Sequence, residues 1–547
     1  MAKIPLGIYR LAGEDTTRWI NRTLQSIGEA PVLFDSLQAQ KTCEELQLAL
    51  RNLGYLDAEV ELFTTVKKKK LNAFYVLHPG GHYVIRNLVY DIQDSVIARL
   101  LGKDIDKREL HEGMVFNVNA LNEERSRLTS LLQNQGYYRF HKEFISFLAD
   151  SIRDSRQVDL TLQLRPYRTS NIQDTLHTCY TIRQISYASG DPRDSVIHLR
   201  NRVLRENTML TEGQPYSAEG LQNTYTHFGR LGAVRYTNIN FQQTPDPTQL
   251  DMDVQVQTNK PSTLSFQPEG TNTAGDLGAA ASLTYQNRNL FRGSELFSVQ
   301  LRGAYEAIRG LEGYSNQDFF EYSLESRLSF PRFIIPFLSS NLRRRIIATS
   351  EVSLLYDSQD RPEFHRRVLS AGWHYQWKPQ NRLSNYRMDL IDLNYVFMPW
   401  ISSTFQREYL DNAESSNAIL RYNYEDLFIM KTGFGYSYNN GRTALKTNLE
   451  TAGNLLNLYA TIFDAPEDSY GQYKIFNIAF AQYVKADIDL THRLYEDHNS
   501  QLVMHAGLGV AYPYGNSSIL PFEKRYFAGG ANSVRGWTVR SLGPGNL

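Results

Sequence analysis

The pattern of hydrophobic and polar residues changes near residue 260 of the chain. Before that point, apolar residues at helical spacing alternate with short strand-like stretches, whereas helical spacing is absent from Ser262 onward. The second part contains about eleven stretches that alternate apolar and polar residues over the length of a membrane-spanning strand. The pattern therefore predicts mixed helices and strands first, and strands alone afterwards.

The clearest alternating stretch runs from Phe476 to Leu490. Its apolar row holds Phe476, Ile478, Phe480, Val484, Ala486, Ile488 and Leu490, and its polar row holds Asn477, Lys485, Asp487 and Asp489. Gln482 alone interrupts the apolar row. A soluble β-sandwich also alternates, but its strands are usually shorter. We expect a barrel wall with hydrocarbon outside and a wet lumen inside.

Two further stretches repeat this alternation. The apolar rows are Phe297, Val299, Leu301 and Tyr305 in one stretch and Leu502, Met504, Ala506, Leu508 and Val510 in the other. The facing rows are Ser298, Gln300, Arg302 and Glu306, and Val503, His505, Gly507 and Gly509. Together these stretches predict an antiparallel transmembrane β-barrel over residues 262–547.

The first part of the chain contains an internal repeat. The strand-like motif Tyr83-x-Ile85-Arg86-x-Leu88-x-Tyr90 recurs as Tyr180-x-Ile182-Arg183-x-Ile185-x-Tyr187. Downstream, Glu112-Gly113-x-x-Phe116 is matched by Glu212-Gly213-x-x-Tyr216. Such self-similarity at a nearly constant offset indicates tandem small modules.

Each module has a glycine after a helix, followed by two strands. The glycines are Gly54, Gly136 and Gly232, and we expect each to adopt the left-handed conformation that ends a helix. The closing strands are expected at 72–77, 158–164 and 250–256. We assign modules to residues 1–80, incomplete at its start, 81–168 and 178–259.

Such a module can bind an unfolded protein, its client, without depending on the client's sequence. A three-stranded sheet with helices on one face exposes at least one edge strand. The unpaired amides and carbonyls of that edge can add an extended peptide by β-augmentation, so the modules are predicted to hold unfolded clients.

Composition changes this picture little. The 58 basic and 58 acidic residues balance, which argues against a nucleic-acid partner. The mean hydropathy is −0.43, as barrel strands allow, and 34 Tyr and 27 Phe suit interfacial girdles.

Cys43 shares a helical stripe with leucines and is expected to be a small buried residue, with a disulfide to Cys179 as the alternative. No metal-ligand or cofactor motif is present in the sequence.

Both ends of the sequence bear on the barrel hypothesis. Met1-Ala2-Lys3 is not followed by a signal-peptide apolar region, although an outer-membrane protein must be exported. The last residues, Gly543 to Leu547, are typical of a loop. We therefore expect that a leader or lipid anchor and further strands lie outside this sequence.

Repeated modules before a barrel, together with the sequence YFAGGANSVRGW at 526–537, resemble the outer-membrane assembly and translocation proteins that carry POTRA domains. Residues 270–277, leading to 285–293, resemble that family's first barrel hairpin, and the translocation-and-assembly-module branch is the most similar. The resemblance implies tandem α+β POTRA modules in the periplasm and an outer-membrane barrel of about 16 strands in full length.

The resemblance also implies site residues. The luminal loop motif corresponds to Gly529, Gly530, Val534, Arg535, Gly536 and Trp537, with glycines that allow tight turns. In the family, the arginine pairs with an acidic residue on a later strand, which would lie beyond Leu547 here. Bracing of the loop by Arg535 and a direct part in gating remain alternatives.

A mechanism without covalent chemistry follows from the resemblance. Client strands would enter the membrane at a lateral seam whose first strand holds Thr263, Leu264, Ser265 and Phe266. The implied partners are unfolded outer-membrane or secreted clients, outer-membrane lipids and a periplasm-spanning protein at the modules. A two-partner-secretion pore with a dedicated substrate and a passive porin or surface antigen are the alternatives. An enzyme has the least support, since no nucleophile elbow or phosphate loop is present.

Overall fold

The computed structural model describes most of the chain. The described residues are 9, 11–13, 15, 17–28, 30, 33–67, 70–152, 155–168, 174–273, 276–307, 318–335, 346–379, 383–407, 426–467, 471–497, 500–530 and 534–537. The chain divides into two compact units, one of residues 1–180 with 215–218, and one of residues 181–214 with 219–547.

The first unit begins with two helices and a hairpin. These are α1 (Trp19–Ile27), α2 (Ser36–Asn52), β1 (Glu59–Lys67) and β2 (Lys70–His78), with β1 and β2 antiparallel. The Asp35 side chain caps α2 by accepting hydrogen bonds from the amides of Leu37 and Gln38. Cys43 on α2 is only half-buried, and both Cys43 and Cys179 are free thiols, so the disulfide alternative is wrong.

A complete module follows in the same unit. It comprises β3 (Val84–Asp91), α3 (Ser95–Gly102), a 3-10 turn (Ile105–Lys107), α4 (Val118–Asn134), a second 3-10 turn (Lys142–Phe144), β4 (Ile145–Ile152) and β5 (Gln157–Leu164). The sheet order is β3-β5-β4, with β5 parallel to β3 and antiparallel to β4. Apolar residues of the helices, including Ile97, Leu128 and Leu132, pack with Leu162 in the core.

The second unit opens with a module of the same topology. The short pair β6 (Tyr167–Arg168) and β7 (Asp174–Thr175) still belongs to the first unit. The module then comprises β8 (Thr181–Ser189), α5 (Asn201–Asn207), α6 (Ala218–Gly229), β9 (Val234–Gln243) and β10 (Gln249–Thr258). The order β8-β10-β9 repeats that of the preceding module, with β10 parallel to β8 and antiparallel to β9. The predicted α+β architecture is confirmed.

The repeated motifs make equivalent contacts in the two modules. Arg86 donates from Nε to Oδ1 of Asp159 over 2.8 Å, and Arg183 does the same to Asp251 over 2.8 Å. Each pair lies at an irregularity between the first strand and the central strand. The repeated glutamates act alike, since Glu112 accepts from the Leu88 amide and Glu212 from the Ile185 amide. The sequence repeat therefore fixes the outer side of the first strand in each module.

Two of the three predicted glycine helix stops adopt the left-handed conformation. The φ angles of Gly54 and Gly136 are 98° and 105°. Gly232 is outside the left-handed region, since α6 already ends at Gly229 and a short turn precedes β9. The expectation for Gly232 is wrong because the helix ends earlier than the sequence pattern suggested.

Eleven long strands form one antiparallel sheet after the modules. They are β11 (Ser262–Thr273), β12 (Asp276–Asn287), β13 (Leu296–Ala307), β14 (Asp318–Phe330), β15 (Ile347–Asp360), β16 (Phe364–Lys378), β17 (Ser384–Ile401), β18 (Leu427–Asn439), β19 (Thr443–Ala452), β22 (Tyr483–Glu496) and β23 (Gln501–Pro513). Each pairs with the next, and β11 and β23 are the edges. The predicted barrel sheet is confirmed, and in the described residues it is not closed.

Within the described residues, four short elements interrupt the meander. They are α7 (Ser403–Phe405), α8 (Asn454–Ile462) and the two-residue pair β20 (Lys474–Ile475) and β21 (Ile478–Ala479). The stretch from Phe476 to Leu490 is thus not one strand as predicted. Phe476 and Asn477 have φ angles of 52° and 63° and form the turn between β20 and β21, and the long strand begins at Tyr483.

The two faces of the sheet differ as the alternation predicts. One face carries ion pairs between neighbouring strands, such as Arg302 with Glu321 and Lys431 with Asp392. The other carries exposed apolar side chains, among them Leu301, Leu354 and Leu508. We call these the polar face and the apolar face. Among the described residues, no helix has the length and apolar character needed to cross a membrane.

A buried glutamate provides a test of stability in the module of residues 81–168. Glu124 on α4 has no exposed surface and accepts hydrogen bonds from Arg127, the Tyr90 hydroxyl and the Glu109 amide. Burial alone would raise its pKa, but these partners lower the pKa below its ordinary value of 4.5. The charged carboxylate therefore stabilises the module above that value, and the contribution is lost as the pH falls through the lowered pKa.

We expect Glu124→Gln to lower the free energy of unfolding of this module by roughly 2 kcal/mol at neutral pH, since charged hydrogen bonds to buried partners are lost. The measurement is urea unfolding of the full chain, monitored in this module by hydrogen exchange of peptides from β3 to β5. The exposed neighbour Glu123 provides the control Glu123→Gln, with little change expected. The assignment would be contradicted if both variants lost the same free energy of unfolding. It would also be contradicted if the stability of Glu124→Gln fell with decreasing pH as steeply as that of the wild type.

Candidate functional site

The chain after β23 is held to the polar face by a cluster of charged side chains. Lys524, in a 3-10 turn (Phe522–Lys524), lies 3.5 Å from a Glu450 carboxylate oxygen. Lys431 lies 3.4 Å from the same carboxylate and 3.2 Å from Asp392, and the Tyr483 hydroxyl donates to Glu450 over 3.0 Å. We call these five residues the Glu450 cluster. Two lysines balance two carboxylates here, so no member is left as an isolated buried charge.

Tyr526, the first residue of the motif loop, is the second attachment. Its hydroxyl donates to Asp487 on β22, and the Lys485 ammonium lies 4.3 Å from the centre of its ring. A charge over a ring face is attracted by the ring's electron density. Gly509 on β23 makes room for this ring, because a Cβ at Gly509 would be 2.4 Å from a Tyr526 ring carbon. The ring thus fits over a glycine of the polar face.

Two of the motif glycines allow the loop to turn. Gly529 and Gly530 have φ angles of 97° and 94°, where other residues are strained. The Gly530 amide donates to the Trp537 carbonyl over 2.8 Å, and the Trp537 amide donates to the Val534 carbonyl over 3.1 Å. These bonds close the loop into a compact turn.

Gly536 does not have the expected role. Its φ is outside the left-handed region, and a Cβ there would meet no atom within 4 Å. The turn therefore requires glycine at 529 and 530 only. Arg535 lies in the turn between Val534 and Trp537 with an exposed side chain. Its pairing with an acidic residue beyond Leu547 stays a prediction, and residues 531–533 and 538–547 lie outside the described part of the chain.

The predicted seam residues lie on β11, at the edge of the sheet. Thr263, Leu264, Ser265 and Phe266 pair with Gln286, Tyr285, Thr284 and Leu283 of β12. Leu264 and Phe266 are 68% and 67% exposed and share the apolar face with Leu283, whereas Thr263 and Ser265 share the other. Pro268 also lies in β11. A proline is tolerated there because an edge strand has one side without a partner strand.

The module of β8 to β10 is fastened to the turn between β12 and β13. Glu295 has a side chain only 1% exposed, lies 2.9 Å from the Arg200 guanidinium, and accepts from the amides of Phe291 and Gly293. Gly293 is needed, since a Cβ there would be 2.0 Å from a Glu295 oxygen. The Ala233 amide also donates to the Ser294 hydroxyl over 3.0 Å. This junction holds the module against the turn next to the first hairpin.

The sequence did not reveal the Glu450 cluster, the Tyr526 attachment or the Glu295 junction. Lys485, Asp487 and Gly509 were recognised only as members of polar rows. A charged residue recurring at the lumen-facing position of successive strands was the available signal, but the meeting of side chains from five elements in the Glu450 cluster requires knowledge of the strand register. Within the described residues, no group of three or more His, Cys, Asp or Glu side chains is arranged to hold a metal ion.

Comparisons with known proteins agree with this architecture. Residues 401–547 match the family model of the Omp85 superfamily domain. Among solved structures, BamA from Haemophilus ducreyi lacking POTRA domains 1–3 is 14% identical, with a TM-score of 0.45 over 84% of this chain and 77% of that chain. CdiB from Acinetobacter baumannii is 11% identical, with a TM-score of 0.37 over 93% of this chain and 82% of that chain.

POTRA1–3 of the periplasmic domain of Omp85 from Anabaena is 14% identical, with a TM-score of 0.17 over 40% of this chain and 82% of that chain. Scores of this size do not establish a common fold, and the family model covers residues 401–547 alone. No curated protein sequence matches the chain.

The sheet topology and the family match define an outer-membrane barrel preceded by periplasmic modules. In its barrel sheet the chain is similar to Omp85-type proteins, and its modules are POTRA-like. The match supports a location in the bacterial outer membrane with the modules in the periplasm.

The fit of Tyr526 over Gly509 generates a prediction. Gly509→Val places atoms where the ring lies, so we expect the motif loop to detach from the polar face. Limited trypsin digestion should then cleave at Arg525 or Arg535 about tenfold faster. A tenfold change corresponds to a loss of roughly 1.4 kcal/mol in the free energy that holds the loop on the polar face.

The matched control is Gly507→Val on the same strand and face. A Cβ at Gly507 would meet only an Asp489 oxygen at 3.8 Å, so cleavage should stay near the wild-type rate. If both variants, or neither, increase the cleavage rate, Tyr526 does not attach the loop.

Proposed function

We propose that the chain inserts unfolded client proteins into the outer membrane through a lateral seam that begins at β11. The observation that carries the proposal is the edge position of this strand, which has only β12 as a neighbour in the described residues. Leu264 and Phe266 extend the apolar face to that edge, so a client strand added there would continue both the sheet and its lipid-facing surface.

Backbone hydrogen bonding supplies the driving force for this route. In hydrocarbon, an unsatisfied amide or carbonyl costs several kcal/mol. A client strand that pairs with β11 satisfies one of its sides before it leaves the lumen. The seam therefore lowers the cost of moving a strand into the bilayer without reading its sequence.

The modules are proposed to receive the client at one sheet edge rather than at both. The outer side of β3 is already engaged, because the Ile85 amide donates to the Met114 carbonyl over 2.9 Å and the Leu88 amide donates to Glu112. At the opposite edge, β4 has only β5 as a neighbouring strand in the described residues. We assign client binding by β-augmentation to β4, and to β9 as its equivalent in the next module.

The motif loop and the Glu295 junction are both consistent with delivery of the client to the seam at β11. The Glu295 junction keeps the module of β8 to β10 at the turn that follows the first hairpin, so a client bound at β9 is delivered near β11. The Glu450 cluster and Tyr526 hold the loop with Gly529, Gly530, Val534, Arg535, Gly536 and Trp537 on the polar face, where it would brace or gate the lumen. Outer-membrane lipids and a periplasm-spanning protein at the first modules are the further proposed partners.

Site-specific crosslinking tests the seam. A photoreactive amino acid at Phe266 should crosslink to a barrel client during insertion into vesicles, because client strands pair at β11. The control position is Leu354 on β15, which is also exposed on the apolar face but lies in the middle of the sheet. We expect no client adduct at Leu354.

Adducts at Leu354 as frequent as those at Phe266 would contradict a seam at β11. Adducts confined to lumen-facing positions, such as Lys446 on β19, would show export through the lumen and favour the two-partner-secretion alternative.

Depletion in cells separates the same two functions. If the chain inserts barrels, its depletion should lower the abundance of several outer-membrane barrels, because each requires the template edge. Quantitative proteomics of outer-membrane fractions measures this, with periplasmic proteins as the control. Loss of one secreted protein with unchanged barrels would overturn the proposal.

A further inference from the structure

The segment between β19 and β22 packs against the barrel wall rather than extending away from it. Ala460 of α8 is fully buried and belongs to an apolar cluster with Phe428, Ile478 and Phe480. Leu393 and Tyr395 of β17 pack against the same cluster, as does Leu456 of α8. The helix is thus bound to β17 and β18 by apolar contacts.

The face of the wall that α8 covers follows from the strand register. Asp392 and Lys431 are directly opposite one another and belong to the Glu450 cluster on the polar face. Leu393 is the next residue along β17 and therefore points to the apolar face. Tyr395 and its partner Phe428 lie on that apolar face as well. The helix consequently rests on the surface that faces lipid.

A second row of α8 is not covered by the protein. Leu455, Leu458, Tyr459, Ile462 and the following Phe463 are between 48% and 67% exposed. Their spacing of three and four residues places them on one side of the helix, distinct from the side of Ala460. The third side carries Asn454, Asn457 and Thr461, and no charged residue occurs from Asn454 to Phe463. The helix therefore has a buried side, an exposed apolar side and a polar side.

The position of α8 along the strands identifies what meets the apolar side. β11 follows the module of β8 to β10 almost directly, so the strand ends at Thr273, Ile401 and Ala452 lie at the end of the sheet away from that module. With the modules in the periplasm, this end is at the outer leaflet. The exposed row of α8 continues the lipid-facing surface of β17 and β18 at that level.

We propose that α8 is an interfacial membrane anchor that lies in the outer leaflet, with its exposed row among the acyl chains and Asn454, Asn457 and Thr461 toward the headgroups. A short amphipathic helix at a bilayer surface adopts this arrangement. A protein partner would reach this row only from within the membrane, because the wall beneath it already faces lipid. The anchor stiffens the wall at β17 and β18.

Fluorescence quenching tests the anchor. In the full chain with Cys43→Ser and Cys179→Ser, a single cysteine is introduced as Leu458→Cys or Thr461→Cys and labelled with an environment-sensitive fluorophore. The protein is reconstituted into phosphatidylcholine vesicles with acyl-chain-brominated lipid. We expect quenching by bromine at 458 and an iodide quenching constant at least about threefold lower at 458 than at 461, since an interfacial helix places its apolar side some 5–10 Å below the surface.

A label at Leu354→Cys on the wall is the internal control, because its quenching by bromine shows that the barrel itself is inserted. If Leu354 is quenched while 458 is as open to iodide as 461, α8 lies in water and the proposal is wrong. Protection of 458 from iodide that disappears on dilution to about one chain per vesicle would show that a second copy covers the row, which also overturns the proposal. None of these readouts depends on client insertion.

Discussion

The requirement that every backbone amide and carbonyl be paired within a hydrocarbon layer governs this structure. A strand in the bilayer cannot use water as a partner, so the eleven long strands form one continuous antiparallel ladder. In the described residues β11 is an edge strand with β12 as its neighbour, so the same requirement favours the pairing of an added strand there. The alternation of side chains follows as a second consequence, because one row of each strand must tolerate lipid and the other water.

Much of this could be predicted from the sequence, because a two-residue period is a local property of the chain. The number of strands and the internal repeat were recovered from pattern alone. The two-residue period gave a wrong prediction at Phe476 and Asn477. These two consecutive residues have positive φ and reverse the chain, while the apolar spacing continues across the turn. Periodicity depends on the polarity of the side chains and carries no information about backbone direction. A tight turn within an alternating stretch is therefore missed.

The luminal attachments could not be predicted for a different reason. The Glu450 cluster collects side chains from β17, β18, β19, β22 and the turn after β23, and their meeting depends on the register of three strand pairs and on the position of that turn. A small error in any one register would separate them. Gly509 illustrates the same limit, since its role comes from the ring of Tyr526 and not from its own backbone conformation. Local sequence shows that such residues are small or charged, and only the assembled sheet shows what they touch.

The duplicated Arg–Asp pair and Glu–amide contact have an implication for how such chains change. Both lie wholly inside one module, since Arg86 meets Asp159 and Arg183 meets Asp251 without reaching a neighbouring module. Gene duplication or loss of a whole module would carry these contacts along or remove them together. These contacts are therefore inherited with the module that contains them, whereas each inner strand of the barrel sheet depends on two neighbouring strands and cannot be lost alone.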